Sequence, residues 1–239
     1  MLCEDAIIDL PAPAAHYLVQ VMRRQPGDVV RLFDDRSGEW LGRMADVGKR
    51  RATVLIDRCL RPREVVPDLW LCAAPIKKGR VDWMAEKACE LGVARFVPVQ
   101  TRRTVVDRLN TDRLKAHMIE AAEQCERTAL PELAGMITLD RLLKDWPQDR
   151  ALVFADEEGG EPLIDAANRA PAPAAILIGP EGGFDAAERA AIRAMPQTVR
   201  ISLGPRILRA DTAMVAAVSL WMGRMGDWGV ATEMNSALA

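Results

Sequence analysis

Glycine, proline and arginine follow short apolar runs twice in the last third of the chain, in an arrangement suited to holding a small ligand. Residues 175–178 lead into Gly179-Pro180-Glu181-Gly182-Gly183-Phe184, and residues 199–203 lead into Gly204-Pro205-Arg206-Ile207-Leu208-Arg209. In an α/β protein, adjacent strands that both end in glycine loops leave a crevice where backbone N–H and C=O groups approach a ligand closely. The aliphatic side chains of Ile178, Leu203, Ile207 and Leu208 beside those groups suit a flat, uncharged heterocycle such as adenine. The same segments also fit plain tight turns, where Gly and Pro serve conformation alone.

Other chemistries lack their residues. No G-x-G-x-x-G follows an apolar run, and the spacing from Gly42 to Gly48-Lys49 is one residue too long for a Walker A loop, with no Ser or Thr after the lysine. There is no G-x-S-x-G, and the two histidines, His16 and His117, lie in helical stretches far from the glycine loops, where a packed or surface role is expected. The five cysteines form no C-x-x-C pair and are odd in number, which argues against a disulfide framework and a zinc site. No metal is expected.

Elements that could position the loops follow from periodicity. Up to residue 66 the chain has strand-like stretches at 29–33, 40–47 and 53–57, preceded by a helix near 14–24. Residues 61–67, with two prolines and no periodic pattern, fit a linker. Strands then alternate with helices, at 69–73, 95–99, 151–155, 175–178 and 199–203, which implies a mainly parallel sheet covered on both faces. Val81, Met84, Ala85, Ala88 and Leu91 repeat at helical spacing and stop at Gly92. A helix over 111–127 would turn Leu114, Met118, Ala121, Ala122 and Cys125 inward. Asp185 with Glu188 forms a capping box ahead of a helix that Pro196 ends. Asp211, or the residue before it, opens a last helix over 212–221.

The net charge of −2 gives no sign of a nucleic-acid partner, but its distribution does. Residues 76–115 hold ten Lys/Arg against five Asp/Glu, whereas 116–175 hold five against twelve. A basic block beside an acidic one fits either a local footprint for phosphate or two solvated faces. The N-terminus lacks a basic segment ahead of an apolar one, and no apolar run approaches membrane-spanning length, so a cytoplasmic protein without a membrane partner is expected.

The loops carry a resemblance as well. Leu177-Ile178-Gly179-Pro180-Glu181-Gly182-Gly183-Phe184 and Ser202-Leu203-Gly204-Pro205-Arg206-Ile207-Leu208-Arg209-Ala210-Asp211-Thr212-Ala213 closely resemble the two C-terminal motifs of the bacterial 16S ribosomal RNA uracil-N3 methyltransferases, members of the SPOUT superfamily. Ala15-His16-Tyr17-Leu18-Val19 through Gly27-Asp28, the run from Lys77 to Val93, Thr101-Arg102-Arg103-Thr104, and Glu120 to Pro131 agree in order and spacing. The resemblance therefore spans nearly the whole chain, and the glycine loops are its specific part. Two features depart from the family. Its short basic and aromatic segment before the barrel is missing ahead of Met1, so impaired RNA binding, or a start placed too late, is expected. Asp211 stands where glutamate is common, and is expected to keep the charge and cap a helix better.

The resemblance implies a PUA-like β-barrel that binds RNA over 1–66, and a SPOUT α/β domain over 67–239 whose parallel sheet ends in a C-terminal trefoil knot. It implies S-adenosylmethionine as cofactor, held by Ile178, Gly179, Pro180, Glu181, Gly182, Gly183, Ser202, Leu203, Gly204, Ile207, Leu208, Thr212 and Ala213. It implies methylation of N3 of a uridine in 16S rRNA of the small ribosomal subunit, by a homodimer whose last helix contributes to the subunit contact. Arg206 and Arg209 are the candidates for stabilising charge on the uracil or holding phosphate, with an ion pair to Asp211 or Glu181 as the competing role. Lys77, Lys78, Arg80, Arg102 and Arg103 are expected to bind RNA phosphate. A SPOUT enzyme acting on another RNA, and an inactive RNA-binding assembly factor, are the alternatives.

Overall fold

The computed structural model describes residues 1–48, 51–77 and 79–229, and the chain divides into two compact units. Met1–Val65 with Glu126–Ala129 form the first, and the chain from Val66 onward, apart from those four residues, forms the second.

In the first unit, β1 (Ile7–Asp9), β2 (Val29–Asp34), β3 (Gly38–Val47) and β4 (Ala52–Arg61) build an antiparallel sheet in the order β1-β4-β3-β2. Alternation decides its faces: Val54 and Ile56 are fully buried, while Leu55 between them points outward. Leu10, Ala15, Val30, Met44 and Ala52 complete the core. The helix expected over 14–24 starts earlier, as α1 (Ala12–His16) with a proline in its first turn, and widens into a π-type turn at Tyr17–Val21. β4 runs on to Arg61, beyond the expected 57, because the Arg61 guanidinium reaches Glu39 on β3 at 2.8 Å. Glu64 Oε1 accepts hydrogen bonds from Arg127 Nε and the Ala129 N–H, which fastens 126–129 to this unit.

The second unit contains β5 (Leu69–Ala73), α2 (Arg80–Glu90), β6 (Arg95–Gln100), α3 (Thr111–Cys125), β7 (Glu132–Leu133), β8 (Ile137–Thr138), α4 (Leu139–Lys144) and β9 (Ala151–Ala155). It continues with β10 (Glu161–Pro162), α5 (Leu163–Ala166), β11 (Ala174–Ile178), α6 (Ala186–Ala194), β12 (Thr198–Ser202) and α7 (Ala210–Met225). The eight strands are ordered β10-β12-β9-β11-β5-β6-β7, with β8 beside β6, and each recorded pairing is parallel. Every residue of β11 is buried, as the middle of a sheet with helices on both faces requires. Leu142, Leu143, Trp146, Phe184 and Ile192 pack on one face against Val97, Leu152, Phe154 and Leu177. α2 and α7 touch each other, and α7 also lies against β11.

Two helix ends in the second unit also differ from the sequence expectation. α3 ends at Cys125, which is exposed rather than inward, since Glu126 takes a left-handed φ of 58° and diverts the chain. α7 starts at Ala210 with Arg209 in the cap position and runs to Met225, so Asp211 lies in the first turn and is not the cap.

Candidate active site

The two glycine-rich loops belong to strands that are not neighbours. β9 runs between β11 and β12, so the expectation of a crevice between two adjacent strands is corrected to one among three. The loop after β9, Asp156-Glu157-Glu158-Gly159, supplies the missing wall, and the three loops enclose a cavity of about 620 Å³ at the C-terminal ends of the strands. Its wall includes Ile178, Gly179, Pro180, Glu181, Gly183, Ser202, Leu203, Gly204, Ile207, Leu208 and Ala213, with Arg206 and Arg209. Lys77 and Arg80, read from sequence as RNA contacts, line it too. Gly182 and Thr212 do not, and Arg102 and Arg103 lie outside it; Lys78 falls outside the described residues. Ile207 is 88% exposed, so it stands at the mouth and not in the apolar floor.

Local chemistry shapes each loop. The Gly183 N–H bonds the Pro180 carbonyl at 2.9 Å, closing a turn around Glu181 and Gly182, and Gly183 at the exit of that turn takes a left-handed φ of 67°, which glycine adopts at no steric cost. A Cβ at Gly179 would come within 2.8 Å of the Phe184 ring, and that buried ring packs edge-on to Phe154 at 5.4 Å. Glycine at 179 thus lets the loop fold over its own aromatic anchor. In the second loop the Gly204 N–H donates to Ser202 Oγ at 3.2 Å.

The third loop is held by charge. The Asp156 carboxylate is wholly buried and faces three guanidiniums: Arg193 at 2.7 Å, Arg200 at 2.9 Å, and Arg189 at 3.7 Å, too far in the last case for a hydrogen bond. Glu157 accepts from Arg189 at 2.5 Å, and Glu158 pairs with both Arg189 and Arg193. Compensation by several cations is what permits a carboxylate at such a depth. Sequence reading missed this wall because 156–158 sat within an acidic block. The usable signal was the strand at 151–155 running straight into a loop with Gly159-Gly160, the same strand-to-glycine order as the other two.

The rim carries the remaining cations. Neither Arg206 nor Arg209 makes an ion pair among the described residues; Asp211 pairs instead with Arg80 at 2.8 Å. Arg102 Nη1 donates to Asp185 Oδ2 at 2.8 Å, and Arg103 Nη1 donates to the Gly182 carbonyl at 2.6 Å. The Glu188 N–H first, and then Arg102, hold the Asp185 carboxyl below the usual carboxylate range. The capping box on α6 is present as expected, with Asp185 accepting from the Glu188 N–H and Glu188 accepting from the Asp185 N–H.

The cavity fits an adenosyl ligand. Its volume lies within the range of roughly 300–1,000 Å³ for small-molecule sites, and aliphatic walls alternate with backbone polar groups from three loops. Gly179, Gly183 and Gly204 leave room for a ligand to reach main chain, and Glu157 and Glu181 supply acceptors on the wall.

Comparison with known proteins places these features in context. The RNA methyltransferase domain family matches residues 63–222, and the RNA methyltransferase PUA domain matches residues 10–57. The ribosomal RNA small subunit methyltransferase E of Rickettsia conorii is 32% identical over 91% of this chain and 90% of its own length. The protein of the same name from Bacillus subtilis is 29% identical over 90% of each. Among solved structures, a Legionella pneumophila methyltransferase in complex with its bound cofactor SAM superposes with a TM-score of 0.85 at 27% identity, covering 95% of this chain and 96% of that one. The ribosomal RNA small subunit methyltransferase E of Neisseria gonorrhoeae bound to S-adenosyl methionine does so with a TM-score of 0.84 at 26% identity and the same coverage.

Proposed function

This chain belongs to the RNA methyltransferase family, and we propose that it transfers a methyl group from S-adenosylmethionine to N3 of a uridine in 16S rRNA of the small ribosomal subunit. The observation that carries this reading is the cavity of about 620 Å³ with two guanidiniums, Arg206 and Arg209, at its wall and no ion pair to either among the described residues. A turn built only for conformation would not enclose such a space.

Ile178, Gly179, Pro180, Gly183, Ser202, Leu203, Gly204, Leu208 and Ala213 would hold the adenosyl group, with Ile207 closing the mouth and Gly182 and Thr212 supporting from outside the wall. When bound, S-adenosylmethionine supplies a methyl carbon activated by sulfonium and leaves as the neutral thioether. The chain's own task is alignment, because an in-line displacement depends first on geometry. Arg206 and Arg209 face the negative charge that builds on the uracil oxygens as N3 loses its proton, and their fixed positive charge stabilises it. Lys77, Arg80 and Arg102 contact RNA phosphate, positioning the substrate without reading its sequence. Of these, Lys77 lines the cavity and is exposed, and the Arg102 side chain is 63% exposed.

Residues 1–66 are the PUA-like RNA-binding part and 67–239 the SPOUT domain with its trefoil knot. This division is supported by the separate antiparallel sheet and by the strand order, in which the last strand inserts beside β9. The working unit is a homodimer in the cytoplasm, with the exposed Leu220 of α7 at the subunit contact. No described helix is long and apolar enough to cross a membrane. Incubation of small subunits and of naked 16S rRNA with S-adenosylmethionine, followed by mass spectrometry of the nucleosides, tests the reading. N3-methyluridine is expected, and its absence from both substrates would overturn the assignment.

A further inference from the structure

The arginines after β6 are arranged differently from free phosphate binders. The loop carrying them is fastened to the first glycine loop and to the start of α6 by three contacts between residues about eighty apart in sequence. The Arg102 N–H donates to Glu188 Oε1 at 2.7 Å, its guanidinium donates to Asp185 Oδ2 at 2.8 Å, and Arg103 Nη1 donates to the Gly182 carbonyl at 2.6 Å. Glu188 is 5% exposed and divides its oxygens, Oε2 taking the Asp185 N–H of the capping box and Oε1 taking Arg102. The Arg103 stem also covers Gly182, where a Cβ would meet it at 3.4 Å.

We infer that Arg103 is a positioning residue for the cofactor loop, acting through the Gly182 carbonyl and not through RNA. Gly182 lies inside the turn that the Gly183 N–H closes on Pro180, and the two residues flanking it, Glu181 and Gly183, line the cavity. Fixing the carbonyl of Gly182 fixes the peptide plane it shares with Gly183, whose N–H makes the turn bond. A charged donor on a backbone carbonyl is among the stronger hydrogen bonds available at an exposed site. Arg102 differs: its guanidinium is held by a side chain at the helix start, and its N–H contact to Glu188 survives truncation of the side chain.

The role in cofactor binding rests on the methyltransferase reading above, so the experiment has one readout that needs no cofactor. Hydrogen exchange of the Gly183 amide is followed in the ligand-free protein, and S-adenosylhomocysteine affinity is measured by calorimetry without RNA, for wild type, Arg103→Ala, Arg103→Lys and Arg102→Ala. In Arg103→Ala, Gly183 exchange should rise about tenfold and S-adenosylhomocysteine should bind about tenfold more weakly, while KM for RNA stays within about twofold. Arg103→Lys, which keeps the charge but loses the guanidinium fork, should fall between. Arg102→Ala should show the opposite split, raising KM for RNA with little change in S-adenosylhomocysteine affinity.

Unchanged Gly183 exchange in Arg103→Ala would overturn the inference, as would weaker RNA binding with unchanged S-adenosylhomocysteine affinity. Should the alanine variant fail to fold, Arg103→Lys carries the same test, and unchanged Gly183 exchange there is equally fatal. If wild type binds no S-adenosylhomocysteine while loss of Arg103 still exposes Gly183, the loop-positioning role stands and the cofactor reading falls.

Discussion

Arg80 Nη1 donates to Asp211 Oδ2 at 2.8 Å, joining the first turn of α2 to the first turn of α7 across 131 positions of sequence. Asp211 Oδ1 also accepts from the Thr212 N–H, and an anion in that turn meets the positive end of the helix dipole. Asp211 therefore serves as a tie between two helices that flank the cavity.

Asp211→Ala should lower unfolding free energy by about 1 kcal/mol, a value tempered by the partial exposure of Arg80. Asp211→Glu, the residue common in the resembling family, should lose less than about half of that by keeping the charge. Urea denaturation at neutral pH measures both, and an unchanged midpoint in the alanine variant would show that the tie contributes nothing.

Arg209→Ala should reduce methylation by about a hundredfold or more, the scale of losing one charge-stabilising donor. Cofactor affinity should stay within about threefold, because the Arg209 side chain makes no cap hydrogen bond to α7. Single-turnover assays beside calorimetry with S-adenosylhomocysteine separate the two effects. Near-normal turnover would remove Arg209 from the chemistry.

Acid stability has a marker at Asp34. Partial burial raises its pKa, but this is outweighed by the N–H and hydroxyl of Ser37 and by the N–H groups of Leu2 and Arg36, so the carboxyl is held far below its ordinary 3.8. A depressed folded pKa contributes stability that is present above the unfolded value and lost as pH falls through the folded one. Asp34→Asn should therefore melt below wild type at neutral pH, with the gap closing as pH drops under about 3.8. A gap that stays constant from pH 7 to pH 2 would contradict this.

Thiol chemistry should divide the five cysteines. Burial pushes the Cys72 thiol up to about 12 against the opposing pull of Arg150 and Arg95, and Cys89 is buried as well. Cys3, Cys59 and Cys125 are exposed. Peptide mapping after maleimide treatment of native protein should find label on those three alone, with Cys72 and Cys89 modified only after denaturation. Rapid native labelling of Cys72 would show that β5 opens far more readily than its packing implies.

The parts of this fold that sequence made legible are those governed by near neighbours in the chain. Gly179 and Gly204 mark their loops because each follows an apolar strand, and Asp185 with Glu188 announces a helix start three residues apart. Strand order is a different matter, since nothing in residues 151–155 states that β9 will lie between β11 and β12. The same limit applies to the arginines. Residue type shows that Arg103 is cationic, but its partner is a backbone carbonyl 79 residues away, and no side chain advertises that acceptor. Cys125 fell on an apparently apolar stripe of α3, yet the left-handed turn at Glu126 ends the helix there and leaves the thiol in water.

The placement of β12 between β9 and β10 has a consequence for how the protein is made. On a ribosome, β9 emerges with its neighbour β11 well before residue 198, and until then one long side of β9 offers unpaired N–H and C=O groups to any passing strand. Only the arrival of the last strand seals that margin. A transcript truncated in its final fifth thus yields a polypeptide that is sticky as well as inactive, a burden for the chaperones and proteases that meet it.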